Sequence, residues 1–303
     1  RYAPDDGGPS TVLFNWSILY TGASSVVGTL LFLAFLPESV SDTLLQIVRV
    51  FEHHNDGSYT LRNTFGTRDA AGNDSTHLHY PRGLAVNELG RLYVADDANQ
   101  RILWFDHPLT DTVPSGVIDQ ASCAVKTLPT DASTQPCVGN GSPGEGGNVD
   151  LKGLAVIAKP TGAAPGSLFI TNFTIGRVVR IDEPTTTTPT TATLKPSVLL
   201  GLTHPVDVAA APGGVLYVSD LSFGGPGAVR VYKDSHNPAG QTAPDETITT
   251  DIGSTPLGLA SNGFGLMIAD ADHFRVLANE ASTPNAGFLR VTTDPPTNAD
   301  IIV

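Results

Sequence analysis

The side chains of this 303-residue chain that could do chemistry are 23 aspartates among 30 acidic residues, two cysteines, and His53, His54, His77, His79, His107, His204, His236 and His273. His77-Leu78-His79 is the one local spacing that suggests a metal, because residues two apart point to the same side of an extended strand and imidazole is a common ligand. No third His or carboxylate is placed beside the pair by sequence, so a surface or rim pair is the plainer reading. Hard cations want clustered carboxylate and carbonyl oxygens. Asp69 with Asn73-Asp74, and Asp270-Ala271-Asp272, are the calcium candidates, and neither matches an EF-hand loop or the Asp-rich nonapeptide repeat. No Gly-x-Ser-x-Gly elbow, Cys-His constellation or phosphate-cradling loop occurs. Asp96…Arg101 and Asp270…Arg275 recur at one spacing. Recurrence predicts a structural role, with Asp closing a turn and Arg crossing to a neighbouring repeat.

What must position these residues is a repeated phrase. Pro81-Arg82-Gly83-Leu84-Ala85-Val86 runs into Gly90-Arg91-Leu92-Tyr93-Val94-Ala95-Asp96 and then Arg101-Ile102-Leu103-Trp104-Phe105. It returns from Lys152, from Pro205 and from Pro256, and a degenerate copy fits near the N-terminus. Each copy holds three short Val-, Ile-, Leu- and Tyr-rich runs separated by Gly, Asp, Asn or Pro, and a weaker fourth run follows. That is the pattern of four antiparallel strands joined by tight turns, and a repeated four-stranded sheet reads as one blade of a β-propeller. The expectation is an all-β chain with almost no helix and a single propeller domain over residues 1–303. Five recognisable blades lie at about 12–66, 78–120, 150–201, 204–252 and 255–303, of five or six in total, with a polar inserted loop at about 121–149. The degenerate copy is expected to place its first strand within Leu13–Tyr20, its second at Gly28–Phe35 and its third at Gln46–Phe51. Asn298–Val303 is expected to close the last blade.

The phrase resembles the NHL repeat, most closely in Pro81-Arg82-Gly83, Gly90-Arg91-Leu92-Tyr93-Val94-Ala95-Asp96 and Asn99-Gln100-Arg101-Ile102. The resemblance covers most of the chain from about residue 24. It implies a propeller of about six blades that usually serves as a binding platform. Loops leading into the innermost strands of a propeller converge on one face, where a site built from several blades forms. The converging positions are Arg82, Lys152, Val206 with Asp207, and Leu257; His204 precedes one of these strands. Arg82, Lys152, His204 and Asp207 are therefore the expected binding residues of a channel rim. Lyases that resemble this family carry metal-binding histidines there in Pro-His pairs. This chain has Arg, Lys, Val and Leu instead, so the three imidazoles a zinc of that type requires are missing.

Composition narrows the partners. A formal charge of −13, with 17 Lys and Arg, lacks the basic footprint that nucleic acid requires. Trp16–Leu36 is uncharged and long enough to raise a transmembrane question, but it is broken by Ser, Thr and Gly and its second half fits the repeat, so a buried strand pair is expected. No leader peptide is visible and the chain opens on Arg1, as a processed or trimmed chain would. Cys123 and Cys137 fall in the polar insertion, and a disulfide closing that loop of about 15 residues would contribute roughly 3 kcal/mol. Such a bond points to an oxidising, secreted or extracellular setting. Asn15, Asn73, Asn140 and Asn172 head sequons and are candidate glycosylation sites, and Asn172 is placed at a turn. The Thr-rich tract at 185–191 suits O-glycans or a solvated loop.

The expected function is thus a non-catalytic extracytoplasmic propeller that binds a protein partner, itself or glycans, as a scaffold. Strand-like termini suggest self-association through exposed edges. No metal or cofactor is required by this reading. The alternative is a lactonase- or esterase-like hydrolase holding calcium in its channel through Asp or Asn side chains of several blades.

Overall fold

The computed structural model describes residues 21–27, 30–35, 46–54, 58–68, 70–87, 89–118, 125–126, 151–157, 166–174, 176–182, 197–199, 201–211, 214–222, 227–233, 241–249, 255–261, 265–270, 274–278 and 289–292. Among the described residues the runs of Val, Ile, Leu and Tyr form strands, and consecutive strands within a sheet pair antiparallel. The strands fall into two compact units, Arg1–Pro136 with Thr187–Thr193, and Cys137–Thr186 with Leu194–Val303.

The first unit holds two sheets. One runs β1 (Thr21–Val27), β2 (Leu30–Phe35), β3 (Ile47–His53) and β4 (Tyr59–Phe65) in chain order. The other runs β5 (Pro81–Val86), β6 (Leu92–Asp96), β7 (Arg101–Phe105), β8 (Gly116–Ile118) and β9 (Val125–Lys126). Its core gathers Val48, Val50, Phe65, Leu78, Leu84, Leu92, Val94, Leu103, Phe105 and Val117. The rings of Phe65 and Phe105 stack across it at 3.8 Å. Every residue of β6 and β7 is buried, which explains why these strands read as continuous apolar runs rather than alternating ones.

The second unit holds three four-stranded sheets. The first is β10 (Leu151–Ile157), β11 (Ser167–Asn172), β12 (Arg177–Asp182) and β13 (Ser197–Leu199). The second is β14 (His204–Ala211), β15 (Val215–Leu221), β16 (Ala228–Tyr232) and β17 (Glu246–Ile248). The third is β18 (Pro256–Ser261), β19 (Gly265–Asp270), β20 (Phe274–Ala278) and β21 (Leu289–Thr292). Phe169, Val178, Val208, Val218 and Tyr232 form one core; Tyr217, Val229, Val231, Ile248, Leu266 and Ile268 form another.

One device repeats in all five sheets. Pairing of the first strand with the second slips near its beginning, between Thr21 and Ser24, Pro81 and Leu84, Leu151 and Leu154, Pro205 and Asp207, and Pro256 and Gly258. A bulge there bends the strand and re-aims the residues that precede it. These are the positions at which the sequence places its candidate site.

Some expectations shift. The first strand of the degenerate repeat is Thr21–Val27, not a segment within 13–20, because pairing with Leu30–Phe35 needs only a tight turn. The second and third strands fall where expected, and the uncharged stretch contributes β1 and β2. The fourth strand of the last sheet is Leu289–Thr292, and 298–303 lie outside the described residues. The polar insertion returns a short strand, β9, onto the edge of its sheet. Among the described residues the one helical segment named is a three-residue 3₁₀ turn at Asp97–Asn99, and no helix is long and apolar enough to cross a membrane.

Candidate binding site at the strand beginnings

The start of each first strand faces the end of the second. Pro81 stands opposite Asp96, Leu151 opposite Asn172, Pro205 opposite Asp220 and Pro256 opposite Asp270. The two carboxylates whose contacts are described serve the backbone. Asp96 Oδ1 accepts from His79 N at 2.6 Å, and its Oδ2 accepts from Asn99 Nδ2 at 2.8 Å and Arg101 Nε at 2.7 Å. Asp220 Oδ1 accepts from Thr203 N at 2.7 Å and His204 N at 2.8 Å, and its Oδ2 lies 3.2 Å from Arg230 Nε. In both cases the acid fastens backbone at the entry to the bulged strand, one amide for Asp96 and two for Asp220.

Arg101 adds a second tie. Its guanidinium donates to the carbonyls of Asn73, of Asp74 at 2.9 Å and of His77 at 3.0 Å, so it holds the segment joining β4 to β5. The equal spacing of Asp270 and Arg275 falls in a different register. Arg101 sits opposite Asp96, but Arg275 sits opposite Ile268, and Asp270 falls beyond the last pair of β19 and β20. The counterpart of Arg275 by register is Arg230, which stands opposite Val218.

The residues at the strand beginnings divide between the units. In the first, Arg82 Nε lies 2.8 Å from Asp97 Oδ2, an ion pair with its own sheet. Beside it Tyr80 takes φ of 56°, unusual for a residue that precedes proline. Tyr80 N donates to the buried Gln46 Oε1 at 2.6 Å, and its carbonyl accepts from Asp97 N at 3.2 Å.

In the second unit Lys152 Nζ lies 5.1 Å from the centroid of the Phe173 ring. The His204 ring lies 5.1 Å from the same ring, tilted by 46°. All three are half-buried. The structure thus brings two expected residues together through an aromatic that sequence reasoning missed. Phe173 follows Asn172 as Asp97 follows Asp96, and that column was the available signal. Asp207 is also in this unit. Its Oδ1 accepts from Val208 N at 2.9 Å, its Oδ2 accepts from Leu259 N of β18 at 2.8 Å, and its own N donates to Ser219 Oγ at 2.9 Å. Burial pushes this carboxyl up to about 6, with the two amide donors acting in the other direction.

The remaining candidates are placed as follows. His77 and His79 do not lie on an extended strand; they flank the buried Leu78 in the segment that Arg101 holds. His77 Nδ1 lies 2.8 Å from both oxygens of Asp74, and the His79 ring rests against Tyr80 at 5.2 Å. The hydrogen bond from His77, with help from Thr76, holds Asp74 well below the usual carboxylate range. Among the described residues no three His, Cys, Asp or Glu cluster as a metal site would need. Asn73 is exposed, but Asn172 is 0 % exposed at the end of β11 rather than at a turn, a position with no room for a glycan. Cys123, Cys137, Asn15, Asn140, Asp69, Ala271 and Asp272 lie outside the described residues.

Repeated antiparallel sheets of about four strands, each with a bulged first strand, are the blades of a β-propeller type of protein. Residues 78–105 are an NHL repeat. A solved protein described as a gluconolactonase is similar over 91 % of this chain and 79 % of its own, at 18 % identity and a TM-score of 0.50, a likeness of fold alone. A protein from Bacteroides uniformis described as a 6-phosphogluconolactonase covers 89 % of this chain and 68 % of its own at 17 % identity and a TM-score of 0.48. The nidogen/laminin complex covers 83 % and 72 % at 14 % identity and 0.47. No curated protein matches the chain by sequence.

Proposed function

We propose that the chain is a non-catalytic propeller of five or six blades that works outside the cytoplasm as a binding or structural scaffold. Its ligand contact is the Lys152–Phe173–His204 platform. The observation that carries this reading is how the polar groups at the strand beginnings are used. Asp96, Asp220 and Asp207 all accept from backbone amides, and Arg82 is paired with Asp97. Lys152, Phe173 and His204 set a half-buried aromatic ring between a cation and an imidazole, a combination that binds through stacking and charge. It supplies neither a nucleophile nor a base aimed at one point.

The test is a screen of the purified chain against immobilised glycans and proteins, run beside calcium analysis and a lactone- and ester-hydrolysis assay. Binding that is lost in Phe173→Ala and Lys152→Ala, without turnover, is the expected result. Arg82→Ala is expected to have the smaller effect because its guanidinium is already tied to Asp97. Stoichiometric calcium together with turnover abolished by Asp207→Asn would overturn this proposal in favour of the calcium-dependent hydrolase. Self-association through the termini is tested by light scattering with and without residues 1–20. The secreted setting is tested by the mass of the chain before and after reduction, with a bond between Cys123 and Cys137 expected.

A further inference from the structure

We propose that Asp207 is a proton-operated clasp between two neighbouring sheets of the second unit. Three other copies of the repeat place glycine in this column, as Gly83, Gly153 and Gly258. Here the column holds a carboxyl group, seated where three first strands meet. Its Oδ2 reaches across to Leu259 N of β18, and its Oδ1 is held by Val208 N of its own strand. On the other side it abuts β10, where a Cβ on Gly153 would stand 2.4 Å from Oδ1. Its partners are neutral amides, and among the described residues no cation pairs with it. Asp207 is half-buried, and a carboxylate partly removed from water without a counter-charge is costly, a cost the group relieves by taking up a proton.

The charged groups around it do not remove this cost. β14 itself carries His204, β15 carries Asp220, which is engaged by Thr203, His204 and Arg230, and β10 carries Lys152, which lies over Phe173. β15 also carries Tyr217; β12, which also touches β14, carries Arg177, Arg180 and Asp182, and β18 has no titratable side chain. Among the described side chains, none of them reaches the Asp207 oxygens.

The consequence is a linkage between protons and opening. When β18 separates from β14 the carboxyl meets water and returns toward its ordinary value near 3.9. The closed joint, with Asp207 titrating at about 6, therefore holds a proton that the open joint releases between about pH 4 and pH 6. Acid favours closure, and ionisation above that range favours opening. A separation of two pH units corresponds to about a hundredfold change in the opening equilibrium.

Amide hydrogen exchange on the intact chain tests this at Leu259 and its neighbours in β18. After correction for the intrinsic pH dependence of exchange, opening should rise about a hundredfold between pH 4 and pH 7.5. Asp207→Asn, which keeps an acceptor and removes the proton, should make opening independent of pH. Asp207→Gly, the residue of the other repeats, should do the same and serves where the Asn variant does not fold. His204→Gln should retain the dependence. A flat profile in the unaltered chain, full dependence in either Asp207 variant, or its loss in His204→Gln would overturn the clasp.

Discussion

Two strand beginnings, one in each unit, carry a cation at the same place and treat it differently. Arg82 in β5 is matched by a carboxylate, Asp97 at 2.8 Å. Lys152 in β10 lies over an aromatic ring, Phe173 at 5.1 Å. The residue after the cation is glycine in both, Gly83 and Gly153, while the same column in β14 holds Asp207. The backbone around them is shared, with the same bulge near the start of the first strand, while the residue opposite that start is Asp96 in one and Asn172 in the other. The difference teaches that the repeat fixes where a side chain stands, and that single columns then decide which neighbour it meets.

The sharpest way to break the comparison is at the acids that both units share. Asp96→Ala should destabilise the chain by roughly 3–5 kcal/mol, because it strands a buried Arg101 whose other donors hold the segment before β5. Asp220→Ala should lose less, about 1.5–3 kcal/mol, since its arginine is partly exposed and 3.2 Å away. Denaturant midpoints measure both. Equal losses would mean that the Arg101 tie adds nothing to the first unit.

A middle-sized effect separates Gly153 from an ordinary glycine. An added Cβ would stand 2.4 Å from Asp207 Oδ1, 2.7 Å from Asp207 Cα and 2.9 Å from Val208 N. Gly153→Ala should therefore cost about 1–3 kcal/mol by overpacking β10 against β14. Asp207→Gly should recover only part of this, because two of the three close contacts are to backbone. Full recovery in the double variant would show that the backbone yields and that the carboxyl alone sets the spacing.

How much of this was legible follows from what repeats and what does not. The strands were legible because Leu92-Tyr93-Val94 and Leu216-Tyr217-Val218 are apolar runs bounded by turn residues, a local signal that tertiary packing only reinforces. Arg82, Lys152, His204 and Asp207 were found by their place in the phrase. Phe173 was not, because an aromatic next to a strand end reads as core until the Lys152 and His204 rings and stems are seen around it. The Asp270–Arg275 pair shares its spacing but not its register with Asp96–Arg101, because sequence spacing does not set register: Ala269 pairs with Phe274, as Ala95 pairs with Ile102, so Arg275 falls opposite Ile268, the place from which Arg230 meets Asp220 in its own sheet. The burial of Asn172 was hidden for a similar reason, since a sequon describes three residues and burial depends on the sheet that covers them.

The smallest effect on stability is the most informative for function. Phe173→Asp would place beside Lys152 an acid in the column that Asp97 holds next to Arg82, bringing the second strand beginning nearer to the first. A cation–π contact at a half-exposed site is worth about 0.5–1 kcal/mol, and a partly exposed ion pair is worth about as much. The melting midpoint should therefore move little, and Phe173→Ala should fall slightly below both. Ligand binding should respond in the opposite proportion, because the substitution removes the stacking face and neutralises the cation beside it. A Phe173→Asp chain that keeps its stability and its ligand would remove the platform from the binding site. Loss of both together would place Phe173 in the core.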